Sequence, residues 1–202
     1  MAEADYKMKL SKILSETERE KQEKKKKTTM TVIIIFVLMA STAAFALTTN
    51  QTESVKYKKF VFIKAEQGWN LKNTNLLTTF LPADVENISF KGIKTDDFKR
   101  KVYYLAITNS EQTAANEINR AFFTVIEKYQ LACPEKYENE TFCSELPIKS
   151  CETEASDLII EIEEAENQSI SYDGNCISIK GNEMDLMKGA DRIIYSAYGV
   201  IE

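Results

Sequence analysis

From Met30 to Leu47 the chain reads MTVIIIFVLMASTAAFAL, eighteen residues without a charged side chain, inside a charge-free stretch from Thr28 to Thr52. A helix of about twenty apolar residues rises about 30 Å, the thickness of a bilayer's hydrocarbon core. It also satisfies its own backbone donors there. The run predicts one transmembrane helix over 28–49, dividing the chain into a charged tail (1–27), a linker (50–54) and a domain over 55–202.

Orientation follows from the flanks. Seven basic residues (Lys12, Arg19, Lys21 and Lys24 to Lys27) precede the run closely, and four (Lys56, Lys58, Lys59 and Lys64) follow it. The positive-inside bias places the tail in the cytoplasm and the domain outside, in the single-pass arrangement of a cell-membrane protein. Four N-x-Ser/Thr acceptors (Asn50, Asn87, Asn139 and Asn167) and all four cysteines lie on the outer side, which suits an oxidising, glycosylating compartment. Ala44-Phe45-Ala46 has the form of a signal-peptide cleavage site, but twenty-nine residues before the apolar run exceed a usual n-region. A pilin-like cut is disfavoured by Lys27-Thr28, which offers no small residue at the junction.

Charge and composition exclude several function classes. Residues 1–27 carry net +3, residues 53–101 net +4 and residues 102–202 net −12. The acidic half would repel phosphate, so nucleic acid is not an expected partner. The chain has no histidine, which removes Ser-His-Asp and Cys-His nucleophile pairs, HExxH zinc sites and histidine general bases. Its six glycines form no GxGxxG or phosphate loop, and no cofactor is expected.

Beyond the linker, Val55 to Lys64 reads as a strand, Asn87 to Ile93 as a second and Phe98 to Thr108 as a third. Ala65 to Glu86 shows no clear period; Trp69 within it reads as a core or loop anchor. Asn109 with Gln112 reads as the cap of a helix whose apolar face runs Ala114, Ala115, Ile118, Ala121, Phe122, Val125, Ile126 and Tyr129. Leu131 to Ser156 reads as a loop, Asp157 to Glu163 as a strand, and Ser169 to Ile179 as a hairpin about Asp173-Gly174. A last helix is capped by Asn182 with Asp185 and stopped by Gly199 and Val200, and its buried stripe is Leu186, Met187, Ala190, Ile193, Ile194 and Ala197. Strands with segregated helices predict an α+β domain: a two-layer, mainly antiparallel sheet with two amphipathic helices on one face.

Cys133, Cys143, Cys151 and Cys176 are an even set without the close pairs that zinc or redox sites use. They predict two disulfides. Three connectivities are open, and the nearest-neighbour one, Cys133–Cys143 with Cys151–Cys176, is expected. Glu161, Glu163, Glu164 and Glu166 form the densest carboxylate run. Glu161 and Glu163 would sit about 6.5–7 Å apart on one strand face, a separation glycosidases use. Alternation with Ile160 and Ile162 reads instead as the solvent face of a half-buried strand. Asp96-Asp97 and Asp191-Arg192 read as surface or ion-paired residues, and Tyr195 and Tyr198 as partly exposed contact residues.

The loop Cys133…Cys143-x3-Pro147-x3-Cys151, then Asn175-Cys176-Ile177, then Ala190-Asp191-Arg192-Ile193-Ile194-Tyr195…Gly199 resembles the ending of uncharacterised small membrane-anchored ectodomain proteins of archaeal genomes, over about the last seventy residues. The resemblance implies a prokaryotic cell-surface setting and paired cysteines, and carries no activity or site residue with it. The expected function is a membrane-anchored extracytoplasmic domain that binds or scaffolds another protein of the envelope, without catalysis. The alternatives are an envelope hydrolase using carboxylates or a thiol, and a subunit of a surface filament or secretion complex.

Overall fold

The computed structural model describes residues 20–21, 23–41, 53–152 and 156–202. The chain divides into two units, Met1–Thr52 and Glu53–Glu202.

In the first unit, residues 23–41 form helix α1. Lys24 to Lys27 occupy its N-terminal turns, and the hydroxyls of Thr28, Thr29 and Thr31 donate back to the carbonyls of Lys24, Lys25 and Lys27 at 2.8, 2.8 and 2.9 Å. The apolar part, Met30 to Ser41, rises about 18 Å, against about 30 Å for a hydrocarbon core. Among the described residues no helix is long and apolar enough to cross a membrane. This corrects the expected transmembrane helix, and the single-pass arrangement has no support among the described residues. The physical reason is that the described helix spends its first turns on charged side chains. Residues 42–52, which include the rest of the expected span and Asn50, lie outside the described residues, as do residues 1–19 of the expected tail.

The second unit opens with an antiparallel meander: β1 (Ser54–Tyr57), β2 (Phe60–Ala65), β3 (Gly68–Leu71) and β4 (Leu77–Thr78). Val55 to Lys64, read as one strand, is a hairpin, because Lys58 takes a left-handed φ of 51° and reverses the chain. Gly68 is required by close approach: a Cβ there would lie 2.0 Å from the Thr78 carbonyl oxygen. Trp69 is buried in the core, under the ammonium of Lys64 at 4.4 Å. A short helix α2 (Pro82–Val85) follows. Asn87 to Ile93, expected as a strand, is irregular and anchored by the buried Phe90 and Ile93.

The larger sheet contains β5 (Lys101–Leu105), β6 (Lys128–Pro134), β7 (Ile148–Lys149), β8 (Leu158–Glu164), β9 (Ser169–Asp173) and β10 (Cys176–Gly181), in the order β7-β6-β5-β8-β10-β9. Only β9 runs antiparallel to its neighbour; β7/β6, β6/β5, β5/β8 and β8/β10 are all parallel. The expectation of a mainly antiparallel sheet is thereby corrected. Helix α3 (Asn109–Phe122) supplies the crossover that lets β6 lie parallel to β5. The loop expected from Leu131 begins instead as β6, whose start had been assigned to the helix.

Helix α4 (Glu183–Ala197) starts and stops as its sequence dictates. The Asn182 side chain accepts from the Asp185 N–H at 3.1 Å, and Gly199 at φ 66° lets the Gly199 and Val200 N–H groups reach the carbonyls of Ser196 and Tyr195 at 3.0 and 2.8 Å. That is a Schellman stop. Residues 190 to 195 are all buried, so this part of the helix is enclosed all round rather than on one stripe, while its first turn stays exposed. Gly189 packs on Ile179 and Ile170 of the large sheet, while Tyr195 meets Phe62 edge-on at 5.8 Å in the meander. The arrangement is sheet, helices and sheet, not two layers. Complete burial of Ile193 and Ile194 contributes about 1.5–3 kcal/mol each.

On the face of the large sheet away from the helices, Leu105, Ala132, Ile159 and Cys176 form a second small core. The segment between β6 and β8 is fastened there. Cys133 is bonded to Cys143 and Cys151 to Cys176, with Cα separations of 5.7 and 5.3 Å, the pairing expected.

Candidate functional site

In an open sheet with parallel strands, ligand sites favour the carboxyl ends of neighbouring strands whose connections leave in opposite directions. Strands β5 and β8 meet that condition: the chain leaves β5 through α3 toward β6, and leaves β8 toward β9 and β10. A crevice of about 270 Å³ lies at their ends, lined by Leu105, Thr108 and Glu111 on one side, Glu161 and Glu163 on the other, and Lys136 among the residues of the disulfide-bonded segment.

The backbone donors of this crevice are already taken. One Glu111 carboxylate oxygen accepts from the N–H groups of Ile107 and Thr108 at 2.6 and 2.9 Å, and the other accepts from Glu164 N–H at 3.1 Å. A single buried carboxylate therefore joins the ends of β5 and β8, where such folds commonly seat an anion. Thr108, whose hydroxyl accepts from Glu111 N–H at 3.3 Å, completes a capping box. The cap is thus Thr108 with Glu111, not Asn109 with Gln112; the Gln112 side chain donates to the Ile107 carbonyl at 3.1 Å. The sequence signal was the Thr-x-x-Glu spacing, one residue upstream of the pair chosen.

The carboxylate run is split by the structure. Glu163 accepts from Lys136 and, at 2.6 Å, from Lys180. The hydrogen bonds of these two lysines hold its carboxyl below the ordinary glutamate range, and the bond to Glu163 raises the Lys136 ammonium. Glu161 faces the Ser178 hydroxyl at 3.4 Å, Glu164 accepts from Ser110 and from Thr108 at 3.1 Å, and Glu166 is exposed. Glu161 and Glu163 share a crevice rather than a flat solvent face, but Glu163 is biased toward its charged form. Among the described residues no three Cys, Asp or Glu side chains converge as a metal-holding group.

A second cluster was unforeseen. Asp191 and Arg192, read as surface or ion-paired residues, are 0% and 2% exposed. Asp191 accepts from the Phe80 N–H at 2.7 Å. Burial drives its carboxyl well above the ordinary aspartate range, Phe80's hydrogen bond opposes that, and the neighbouring Glu117 charge adds to it. Burial likewise raises Glu117, against its 2.7 Å bond from Arg120. The Glu117 charge thus acts on Asp191, whose Oδ1 is buried with no hydrogen-bond partner. Arg192 donates from Nε to the Ile88 carbonyl and from Nη2 to the Phe90 carbonyl, both at 2.8 Å. Tyr195, expected to be partly exposed, is fully buried and donates to the Phe80 carbonyl at 2.6 Å. Tyr198 is 36% exposed, and its hydroxyl donates to the Ala121 carbonyl at 2.8 Å. Through Phe80, Ile88 and Phe90 these groups join the segment that follows the meander to α4.

Asn87, Asn139 and Asn167 are all exposed. Asp96 and Asp97 lie in a single 3₁₀ turn, paired with Lys99 and Arg100 at 2.7 and 3.8 Å. Comparison with protein-family models, with curated proteins and with solved structures finds no match.

Proposed function

We propose that residues 53–202 form an extracytoplasmic binding or scaffolding domain of the cell envelope, whose partner is another protein and which does no catalysis. The observation that carries this reading is the strand-end crevice of β5 and β8. Its backbone donors are held by the chain's own Glu111, and Glu163 is kept charged by two lysines. A hydrolase working with two carboxylates needs one of them protonated as an acid at working pH, and the bias at Glu163 runs the other way.

Two disulfides support a compartment outside the cytoplasm. The exposure of the three described glycosylation acceptors supports it too, and so does the likeness of the last seventy residues to archaeal surface proteins. The test is chemical crosslinking of the full-length protein in its own cells, followed by purification and identification of what accompanies it. A discrete partner in fixed stoichiometry is expected. A lone monomer at native abundance, together with turnover of an envelope polymer, would overturn the reading.

A further inference from the structure

Two helices do not cover a six-stranded sheet, and the uncovered part lies at β6. In the register of β5 and β6, Val102 faces Tyr129 and Tyr104 faces Leu131, which places Tyr129 and Leu131 on the helix side of the sheet. They remain 50% and 38% exposed. Between them and α3 is a cavity of about 140 Å³ lined by Tyr104, Gln112, Ala115, Asn116, Asn119, Tyr129 and Leu131.

Two polar atoms in that lining have no partner. The Tyr104 hydroxyl belongs to a side chain only 2% exposed, and the Asn119 side-chain oxygen is buried as well. Burial, and then the nearby Tyr129, raise the Tyr104 phenol, so it stays neutral and available as a donor. Orphaned buried polar atoms are costly and call for a hydrogen-bonding occupant. One donor and one acceptor in the same lining, unbonded to each other, fit a primary carboxamide, whose carbonyl accepts from tyrosine and whose NH2 donates to asparagine. A carboxylate would set its charge against the Asn119 oxygen, and an alkyl group would leave both atoms unmet. Water's share of liquid volume is about 30 Å³, so the cavity has room for the four or five non-hydrogen atoms of an asparagine or glutamine side chain.

The same strand offers backbone to a partner. Its inner side pairs with β5, whereas on its outer side only Cys133 and Pro134 are paired, to β7. Among the described residues, Lys128 to Ala132 form an open edge carrying exposed apolar side chains, the kind of edge that accepts an added strand.

We infer that the outer edge of β6 accepts an extended segment of a partner protein as a further strand, and that an asparagine or glutamine of that segment enters the cavity between Tyr104 and Asn119. The inference rests on the binding-domain reading and names the partner's chemistry.

The probes are three capped peptides, Thr-Val-Gln-Val-Thr and its variants with leucine or glutamate at the centre, titrated into the full-length protein and followed by NMR. The glutamine peptide is expected to shift the amides of 128–132 and the Asn119 side chain, and to bind about tenfold more tightly than the leucine peptide. Tyr104→Phe is expected to erase that preference without weakening the leucine peptide. The peptide comparison on the unmodified protein stands even if the variant does not fold. Equal affinities at the edge would overturn the carboxamide subsite, and no shifts at 128–132 would overturn strand addition. Long-lived waters in the cavity with no response to peptide would mark it as a hydration site only, and would overturn both. A crosslinked partner contacting another face would overturn this inference while leaving the binding-domain reading in place.

Discussion

Replacing Arg192 by methionine tests whether the buried guanidinium holds to α4 the irregular segment that follows α2. The side chain is 2% exposed. It donates to the carbonyls of Ile88, Phe90 and Glu202 at 2.8, 2.8 and 3.2 Å, and to the Ser196 hydroxyl at 2.5 Å. Methionine has similar length and no donor, so the Ile88 and Phe90 carbonyls lose their partners. Each orphaned group costs about 1–3 kcal/mol. Relief of the guanidinium's desolvation offsets part of this, leaving a net loss of about 3 kcal/mol. Urea unfolding followed by circular dichroism measures it. With a slope of about 2 kcal/mol/M, the midpoint falls by about 1.5 M. Ser196→Ala, which removes only the hydroxyl partner, should cost about 1 kcal/mol or less. A methionine variant with its midpoint within about 0.3 M of the parent would refute the reasoning.

Three further predictions follow from the same contacts. Asp191 and Glu117 bind their proton more tightly folded than unfolded, so the stability they provide is fully present below the unfolded carboxylate range of about pH 4 and is lost as pH rises through their raised folded values. Each unit of upward shift corresponds to about 1.4 kcal/mol. Asp191→Asn keeps the acceptor for Phe80 and removes one titration, so its stability relative to the parent should grow as pH rises from about 4; parallel stability-against-pH curves would contradict the raised Asp191 carboxyl. The crosslinks close separations of 25 and 10 residues, so the Cys151→Ser/Cys176→Ser pair should cost about 3.5 kcal/mol and the Cys133→Ser/Cys143→Ser pair about 2.7 kcal/mol, with equal losses in urea counting against the chain-entropy account. Glu111→Ala strips three backbone N–H groups of their acceptor; it should lower the melting temperature, and phosphate at 100 times its dissociation constant should return about 2.7 kcal/mol. Phosphate stabilising the parent equally would show that the crevice is not self-filled.

The legible parts of the fold were those whose cause is local. Asn182, Asp185 and Gly199 sit at fixed offsets that cap and stop α4, and Asp173-Gly174 turns the last hairpin. Strand partners were not legible, because β5 pairs with β8 more than fifty residues away, and no local spacing encodes that. The unbroken Leu158-Ile159-Ile160, buried on both faces, was the available sign of a parallel interior strand. Strand β6 was hidden because Tyr129 continued the helix period, although Tyr129, Leu131 and Cys133 also alternate. Asp191 and Arg192 read as surface or ion-paired charges since the segment that buries them, around Phe80 and Ile88, lies over a hundred residues earlier. The charge-free run suggested a span because it was read as one helix to residue 49, whereas the apolar part of the described helix covers only Met30 to Ser41.

The central claim is that the domain binds a protein and that its carboxylate crevice does no chemistry. The most direct test isolates the crosslinked full-length protein from its own cells alongside a Glu161→Gln/Glu163→Gln variant of matched abundance. The account predicts the same partner in the same stoichiometry from both. Absence of a partner from the parent, with an envelope-degrading activity that the variant lacks, would contradict it.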